Sequence, residues 1–273
     1  MKPLRAAVVG DPIAHSLSPR LFAHWAGARG RDLAYEALRV TPGDFRETLD
    51  YARNEGAWVG WSVTLPHKEL AARLADELDA SADLPGAANV LLFRDGRAIA
   101  HNTDGQGFLD ALTAAGAEPF GSRAVVLGAG GAAAGVVAAL RRAGAADVMV
   151  LNRTPEKAAR LARRFGLAYG GLDSAAGAVS GADLVVNATA AGLEGGSPLP
   201  AGTPFKEGAW AVDLLYRPKE TPFLAQAKAA GARPLGGLGM LVRQGALAWK
   251  LFFGDSLTEQ EARDGETYLG GLL

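Results

Sequence analysis

Arg123-Ala124-Val125-Val126-Leu127-Gly128-Ala129-Gly130-Gly131-Ala132-Ala133 is the stretch on which the fold turns. Its first five residues read as a short buried strand, and the glycines then lead into an Ala-rich segment that predicts a helix ending near Ala143. In strand–turn–helix order this G-x-G-x-x-A spacing is a dinucleotide-binding fingerprint. Gly128 permits the tight turn, Gly130 lets backbone approach a pyrophosphate, and Ala133 keeps helix and strand close. The diphosphate would sit on the helix N-terminus, where free amide donors and the helix dipole both favour an anion. A Gly-rich turn alone is a weak signal. It gains force from Asn152-Arg153-Thr154, which follows the apolar run Val148-Met149-Val150-Leu151. Such units usually place there an acid that holds a ribose hydroxyl, and an arginine instead favours a 2′-phosphate, so the expected cofactor is NADP. Thr154 can cap and Pro155 can open the helix that follows. The plain alternative is an ordinary turn with a solvated Arg153.

Length and composition bound the rest. At 273 residues the chain suits two domains of ordinary size. A net charge of -1 offers no field for nucleic acid, and no charge run suggests a membrane surface. The absence of cysteine excludes disulfides and cysteine-ligated metal. The N-terminus enters a strand without the apolar core of a signal peptide, and no stretch is long enough to span a bilayer, so a cytoplasmic enzyme is the expectation.

Outward from the fingerprint, the pattern predicts strands over 5–9, 34–40, 58–63, 90–93 and 98–101, with Asp95-Gly96 as a hairpin turn between the last two. Helices fit 19–28, 42–54 and 66–75. Further strands are expected at 184–187, 210–214 and 233–235. After Gly239 a helix is expected with an apolar stripe through Met240, Leu241, Leu247, Leu251 and Phe252, and then a last helix capped by Thr258 with Glu261 at the capping-box spacing.

Four polar clusters look like a site. In Ser16-Leu17-Ser18-Pro19, Ser18 is placed as a helix N-cap, which leaves Ser16 free; two hydroxyls beside a helix N-terminus can hold a carboxylate. Thr64-Leu65-Pro66-His67-Lys68 puts Lys68 in the first turn of a helix, where the dipole disfavours a cation, and such conflicts with local rules often mark function. Asn102-Thr103-Asp104-Gly105-Gln106 opens another helix, with Thr103 as N-cap; Asp104 suits the dipole there and could orient Lys68 for proton transfer. Asn89 offers a donor and an acceptor to a substrate hydroxyl. Tyr216, after the strand ending near Asp213, and Gln244, one turn after Met240, could reach the same place. Taken singly, each has an ordinary structural reading as cap, turn residue or solvated side chain.

Together these segments resemble the shikimate dehydrogenases over nearly the whole chain. The matching motifs are Gly10-Asp11-Pro12-Ile13-Ala14-His15-Ser16-Leu17-Ser18-Pro19, Val63-Thr64-Leu65-Pro66-His67-Lys68, Gly86-Ala87-Ala88-Asn89, Asn102-Thr103-Asp104-Gly105, the Gly128 turn, Asn152-Arg153-Thr154, Asn187-Ala188-Thr189, Asp213-Leu214-Leu215-Tyr216-Arg217-Pro218 and Met240-Leu241-Val242-Arg243-Gln244. The resemblance implies an α/β protein of two domains with a cleft between them. One is an N-terminal substrate domain of residues 1–101 completed by helices of 239–273, and the other a Rossmann-type NADP-binding domain of residues 102–238. It implies reversible reduction of 3-dehydroshikimate to shikimate by NADPH, in the shikimate pathway, by a cytoplasmic homodimer. It makes Lys68 and Asp104 the acid–base pair, and Ser16, Ser18, Thr64, Asn89, Tyr216 and Gln244 the substrate contacts. Gly128, Ala129, Gly130, Gly131, Ala132, Asn152, Arg153, Thr154, Lys157, Leu214 and Gly237 fall to the cofactor. One departure stands out: where the family usually has Asn before Val-Thr, this chain has Ser62, which puts a detail of loop support in doubt. The rival readings are an NAD-dependent quinate/shikimate dehydrogenase, a non-catalytic NADP or shikimate sensor that would not need Lys68 with Asp104, and an NADP-dependent methylenetetrahydrofolate dehydrogenase, which the serine pair fits poorly.

Overall fold

In a computed structural model describing residues 3–273, the chain divides into two compact units. One comprises the described residues up to Gly107 together with Val242–Leu272; the other is Phe108–Leu241 with Leu273. The divisions fall inside two helices rather than at the 101/102 and 238/239 boundaries expected from sequence.

The first unit holds β1 (Leu4–Gly10), α1 (Ser18–Ala28), β2 (Leu33–Arg39), α2 (Phe45–Glu55), β3 (Trp58–Val63), α3 (Lys68–Leu74), β4 (Glu77–Leu78), α4 (Ala80–Asp83), β5 (Val90–Arg94), β6 (Arg97–His101) and the start of α5 (Asp104–Ala115). The second holds β7 (Arg123–Leu127), α6 (Gly131–Arg142), β8 (Asp147–Asn152), α7 (Pro155–Phe165), β9 (Ala168–Gly171), α8 (Ala175–Ser180), β10 (Leu184–Asn187), β11 (Trp210–Asp213), α9 (Pro222–Ala229) and β12 (Arg233–Leu235). The chain then returns to the first unit through α10 (Leu238–Phe253) and α11 (Glu259–Gly270).

The first unit's sheet runs β2-β1-β3-β5-β6-β4. Strands β1, β2 and β3 are parallel, whereas β5 is antiparallel to both β3 and β6. Asp95 and Gly96 take positive φ values of 51° and 72° between β5 and β6, the two left-handed positions of a type I′ hairpin. One face packs Ala7, Val9, Trp61, Val63 and Leu91 into a core with Phe45, Leu49 and Ala52 of α2 and Ala71 and Ala72 of α3. On the opposite face Phe22 of α1 stacks on Tyr35 with ring centroids 4.0 Å apart, and Gly60 lets the Phe252 ring lie against β3, where a Cβ would come within 2.4 Å of it.

The expected stripe of α10 holds at Met240 and Phe252, which are buried, and is corrected at Leu241, Leu247 and Leu251, which are only half-buried; the buried face also takes in Val242, Gly245, Ala248 and Trp249. Small residues win there because α1 crosses closely; a Cβ on Gly245 would stand 3.3 Å from Leu21 and 3.5 Å from Trp25. The capping box at Thr258 and Glu261 is present, and Glu261 also pairs with Arg29 at the end of α1.

The second unit's sheet is wholly parallel, in the order β12-β11-β10-β7-β8-β9. This is the doubly wound Rossmann arrangement, with its reversal between β7 and β10, and the near-continuous burial of those strands reflects helices on both faces. Strand β9 and helix α8 are short and carry no clear period, so the sequence does not announce them.

Candidate active site

Four segments end at one edge of the first unit's sheet. The loops after parallel β1 and β3 leave side by side, joined by Asp11 N–H to Leu65 O (3.1 Å) and Thr64 N–H to Val9 O (2.9 Å). Gly10 is needed at this junction, because a Cβ would lie 2.5 Å from Thr64 Cγ2. Asn89 stands at the start of antiparallel β5, its carbonyl accepting from Val63 N–H (2.7 Å) and its N–H donating to His101 O (3.1 Å). The end of β6 then delivers Asn102, Thr103 and Asp104 to the same edge.

At that edge Lys68 and Asp104 form the expected pair, with Nζ 2.6 Å from Oδ2 and side chains 15% and 4% exposed. Lys68 is the first residue of α3, so the helix starts later than the expected 66–75; His67 before it is buried, stacks on Phe45 and donates from Nε2 to Val40 O (2.6 Å). Asn89 is the hub. Its Oδ1 accepts from Thr103 N–H (2.7 Å), while Nδ2 donates towards Thr103 Oγ1 (2.8 Å), Gln244 Oε1 (3.0 Å) and Asp104 Oδ1 (3.1 Å). Thus Lys68, Asn89, Asp104 and Gln244 meet in one network, although they lie on four separate segments. The arrangement presents an ammonium, a carboxylate and two carboxamides, a set suited to holding hydroxyls and a carbonyl and to moving one proton.

The two serines exchange the roles expected of them. Helix α1 begins at Ser18, with Leu17 at the N-cap making no side-chain cap bond. Ser16 Oγ instead accepts from the Ser18 N–H at 3.3 Å, so the residue expected to be free is the one that serves the helix start. Ser18 is buried, and its hydroxyl has no hydrogen-bond partner among the described residues. Ser62 is supported differently from an asparagine: Tyr35 Oη donates to Ser62 Oγ at 2.7 Å, and burial pushes the Tyr35 phenol well above its ordinary range.

Sequence reasoning missed two contributors. Asn102 Oδ1 accepts from Asp104 N–H (3.1 Å) while its Nδ2 donates to Ala87 O (2.7 Å), fixing the turn that carries Asp104. Gly107 lets α5 cross α10 at Gln244, where a Cβ would lie 2.6 Å from Gln244 N. A glycine inside a helical pattern was the available signal.

In the second unit the fingerprint turn joins β7 to α6. Gly128 sits at φ 110°, and a Cβ would meet Ala188 backbone at 3.0 Å, so the turns after β7 and β10 touch at the sheet's reversal point. Gly130 is the N-cap of α6 with no side-chain cap, and a Cβ there would meet nothing within 4 Å. The first amides of α6, at Gly131 and Ala132 with Ala129 just before them, are therefore open to an anion. Arg153 is exposed and forms no hydrogen bond or ion pair among the described residues. Asn152 Nδ2 donates to Thr154 O (3.0 Å), and Thr154 occupies the N-cap of α7 without using its hydroxyl for the cap. Lys157 is exposed on α7. Leu214 and Gly237 are brought together: a Cβ on Gly237 would fall 2.2 Å from Leu214 O.

Tyr216 is half-buried in the loop after β11. Below that loop Asp213 is wholly buried, accepting at Oδ2 from Thr221 (2.7 Å) and Asn187 (3.1 Å) and at Oδ1 from Leu215 N–H (3.0 Å). Burial outweighs these three donors and raises its carboxyl above the usual range.

Two family profiles match the chain, one described as the shikimate dehydrogenase substrate binding domain over residues 8–91 and one as shikimate / quinate 5-dehydrogenase over residues 114–194. The shikimate dehydrogenase (NADP(+)) of an Exiguobacterium species is 39% identical over 270 residues, covering 99% of each chain. That of Thermus thermophilus is 46% identical over 257 residues, covering 92% of this chain and 93% of its own. A crystal structure of the Thermus thermophilus shikimate 5-dehydrogenase in complex with NADP(H) and shikimate superposes with a TM-score of 0.87 at 42% identity, covering 97% of this chain and 99% of that one.

Proposed function

This chain belongs to the shikimate dehydrogenase family, and from that membership we propose how its residues divide the work. It is an NADP-dependent oxidoreductase that interconverts 3-dehydroshikimate and shikimate in the shikimate pathway. The cofactor, when bound, supplies or accepts the hydride; the protein holds both reactants and manages one proton. As hydride reaches the carbonyl carbon, the carbonyl oxygen gains charge and takes a proton from the Lys68 ammonium. In the reverse direction the Lys68 amine removes the hydroxyl proton. Asp104 stabilises the ammonium and aims it. Asn89 and Gln244 are assigned to the ring hydroxyls, Asn89 through the one hydrogen that it shares between Asp104 and Gln244. Ser18, whose hydroxyl has no hydrogen-bond partner among the described residues, holds the ring carboxylate with Ser16 and Thr64, all at the same sheet edge, and Tyr216 is assigned to the substrate as well. The turn from Gly128 to Ala132 takes the diphosphate on the open start of α6, and Asn152, Arg153, Thr154 and Lys157 take the 2′-phosphate end. Leu214 and Gly237 line the nicotinamide end.

The observation that carries the assignment is the Lys68–Asp104 pair joined to Asn89, because a protein that only bound shikimate would have no use for a buried proton donor with its own counterion. Loss of reduced-nicotinamide absorbance with 3-dehydroshikimate tests it, comparing NADPH with NADH and using dehydroquinate as control. Turnover with NADPH and dehydroshikimate, and a loss of roughly 100-fold or more in kcat for Lys68→Ala with a smaller change in KM, is the expected result. Equal losses of binding and rate would remove Lys68 from the proton step, and turnover with NADH or dehydroquinate would favour the quinate-type relative. The proposal extends to a homodimer in the cytoplasm, on the strength of the family resemblance, with light scattering as the test of the dimer. No helix among the described residues is long and apolar enough to cross a membrane.

A further inference from the structure

Resting on the assignment of Asn89 and Asp104 above, we infer that Thr103 is a positioning residue that sets the orientation of the Asn89 carboxamide, and through it the direction in which Asp104 faces Lys68. Thr103 addresses both ends of one amide. Its backbone N–H donates to Asn89 Oδ1 (2.7 Å), and its Oγ1 accepts from Asn89 Nδ2 (2.8 Å). A carboxamide can be turned end for end with almost no change of shape, so only its partners decide which end carries the hydrogens. Reversal here would set N–H against N–H and oxygen against oxygen, and the reciprocal clamp forbids it.

The clamp has an outer anchor. Thr103 Oγ1 donates its own hydrogen to Gln244 O (3.0 Å), so the hydroxyl is both acceptor and donor and has no rotational freedom left. With one Nδ2 hydrogen held by Thr103, the other lies between Asp104 Oδ1 (3.1 Å) and Gln244 Oε1 (3.0 Å). Asp104 is thereby held at Oδ1 and offers Oδ2 to Lys68 at 2.6 Å. Asn89, Thr103 and Asp104 are all at most 6% exposed, so water cannot easily replace a lost partner. An ordinary capping threonine would spend its hydroxyl on its own helix; this one links two segments of the site that lie 141 residues apart.

Thr103→Val removes the hydroxyl and keeps the shape. The expected result is a fall in kcat of about 10- to 100-fold with the KM for NADP nearly unchanged, and recovery to within about threefold of wild type in Thr103→Ser. In an Asn89→Ala background the valine should cost less than about twofold, because Thr103 acts through that amide. Thr103→Val with kcat within about twofold of wild type, or with an undiminished loss in the Asn89→Ala background, overturns the proposal. A readout free of turnover is the NMR signal of the Asn89 side-chain amide, which should move in Thr103→Val and return in Thr103→Ser; an unmoved signal refutes the clamp. Wild-type protein without turnover would refute the enzymatic reading instead, and the amide signal would still decide the role of Thr103.

Discussion

Asp104→Asn changes one atom of a side chain and almost nothing of its shape, yet the geometry leaves it no acceptable orientation. Asp104 Oδ2 faces Lys68 Nζ at 2.6 Å and Oδ1 faces Asn89 Nδ2 at 3.1 Å, both as acceptors. An asparagine there must turn its own NH2 towards one of those two donors. If it faces Lys68, ammonium meets amide; if it faces Asn89, the hub loses an acceptor and Lys68 keeps only a neutral oxygen. Removing one partner of a buried ion pair costs about 3–5 kcal/mol. Lys68 is 15% exposed and gains some hydration, which brings the cost to the bottom of that range or just below it, about 2–3 kcal/mol. Expressed in the transition state, that is a kcat loss of about 30- to 200-fold. The backbone should hold, because Asn102 Oδ1 still accepts the N–H of residue 104 and the side-chain volume is unchanged. Steady-state kinetics in both substrates, with the thermal midpoint followed by circular dichroism, separates the cases. A variant that folds as wild type and turns over within about threefold of it would show that the pair does not orient the proton donor, and the reasoning from geometry to chemistry would fail.

Two other outcomes are expected. Arg153→Asp should weaken NADPH by about 10- to 100-fold, the worth of one charge-assisted hydrogen bond, while NADH changes little; an unchanged preference between the two cofactors would place the 2′-phosphate elsewhere. Glu261 should make stability depend on acidity, because its hydrogen bond with Arg29, and then the Thr258 N–H, lower its carboxyl from 4.5 to about 2. A depressed folded value stabilises fully above the unfolded one, so this contribution is present above pH 4.5 and lost as the pH falls towards about 2. The shift sets an upper bound of about 3 kcal/mol, which the partial exposure of the pair reduces to about 1–2 kcal/mol. Urea unfolding of Glu261→Gln, which can keep the capping box but not the charge, should show a flatter pH dependence across that window; identical slopes would deny Glu261 the role.

The Rossmann sheet was readable because its information is local. Strand, glycine turn and helix lie within a few residues of one another from Arg123 onward, and the same holds for the Asp95-Gly96 hairpin and the Thr258 capping box. The capping role of the serines was misplaced by a single residue: α1 starts at Ser18 and not after it, with Leu17 at the N-cap, so it is Ser16 that accepts from the helix start and the Ser18 hydroxyl is released. The stripe of α10 missed at its three leucines, because the close approach of α1 at Gly245 turns the face one residue away from them. Ser62 looked like a loss of support until Tyr35, from the far side of β1, supplied the missing partner.

The site itself depends on strand direction, which the Asp95-Gly96 hairpin fixes for β5 against β6 but which no local signal carries for β5 against β3. Asn89 precedes its strand, whereas Thr64 and Lys68 follow theirs, and the two sets share an edge only because β5 runs antiparallel to β3. Were β5 parallel, Asn89 would enter at the opposite edge, about 15 Å away along a strand of this length. The hairpin then turns the chain back, so that Asn102, Thr103 and Asp104 leave β6 beside the residue that β5 began with. Two reversals thus place both partners of a hydrogen-bond network at one edge, and α10 adds Gln244 from 155 residues beyond Asn89. The members of that network are also tied to one another by buried hydrogen bonds, so none of them can turn away without leaving a partner unpaired. Such mutual constraint is what a proton donor needs if it is to meet charge as it develops, without reorganising at the moment of reaction.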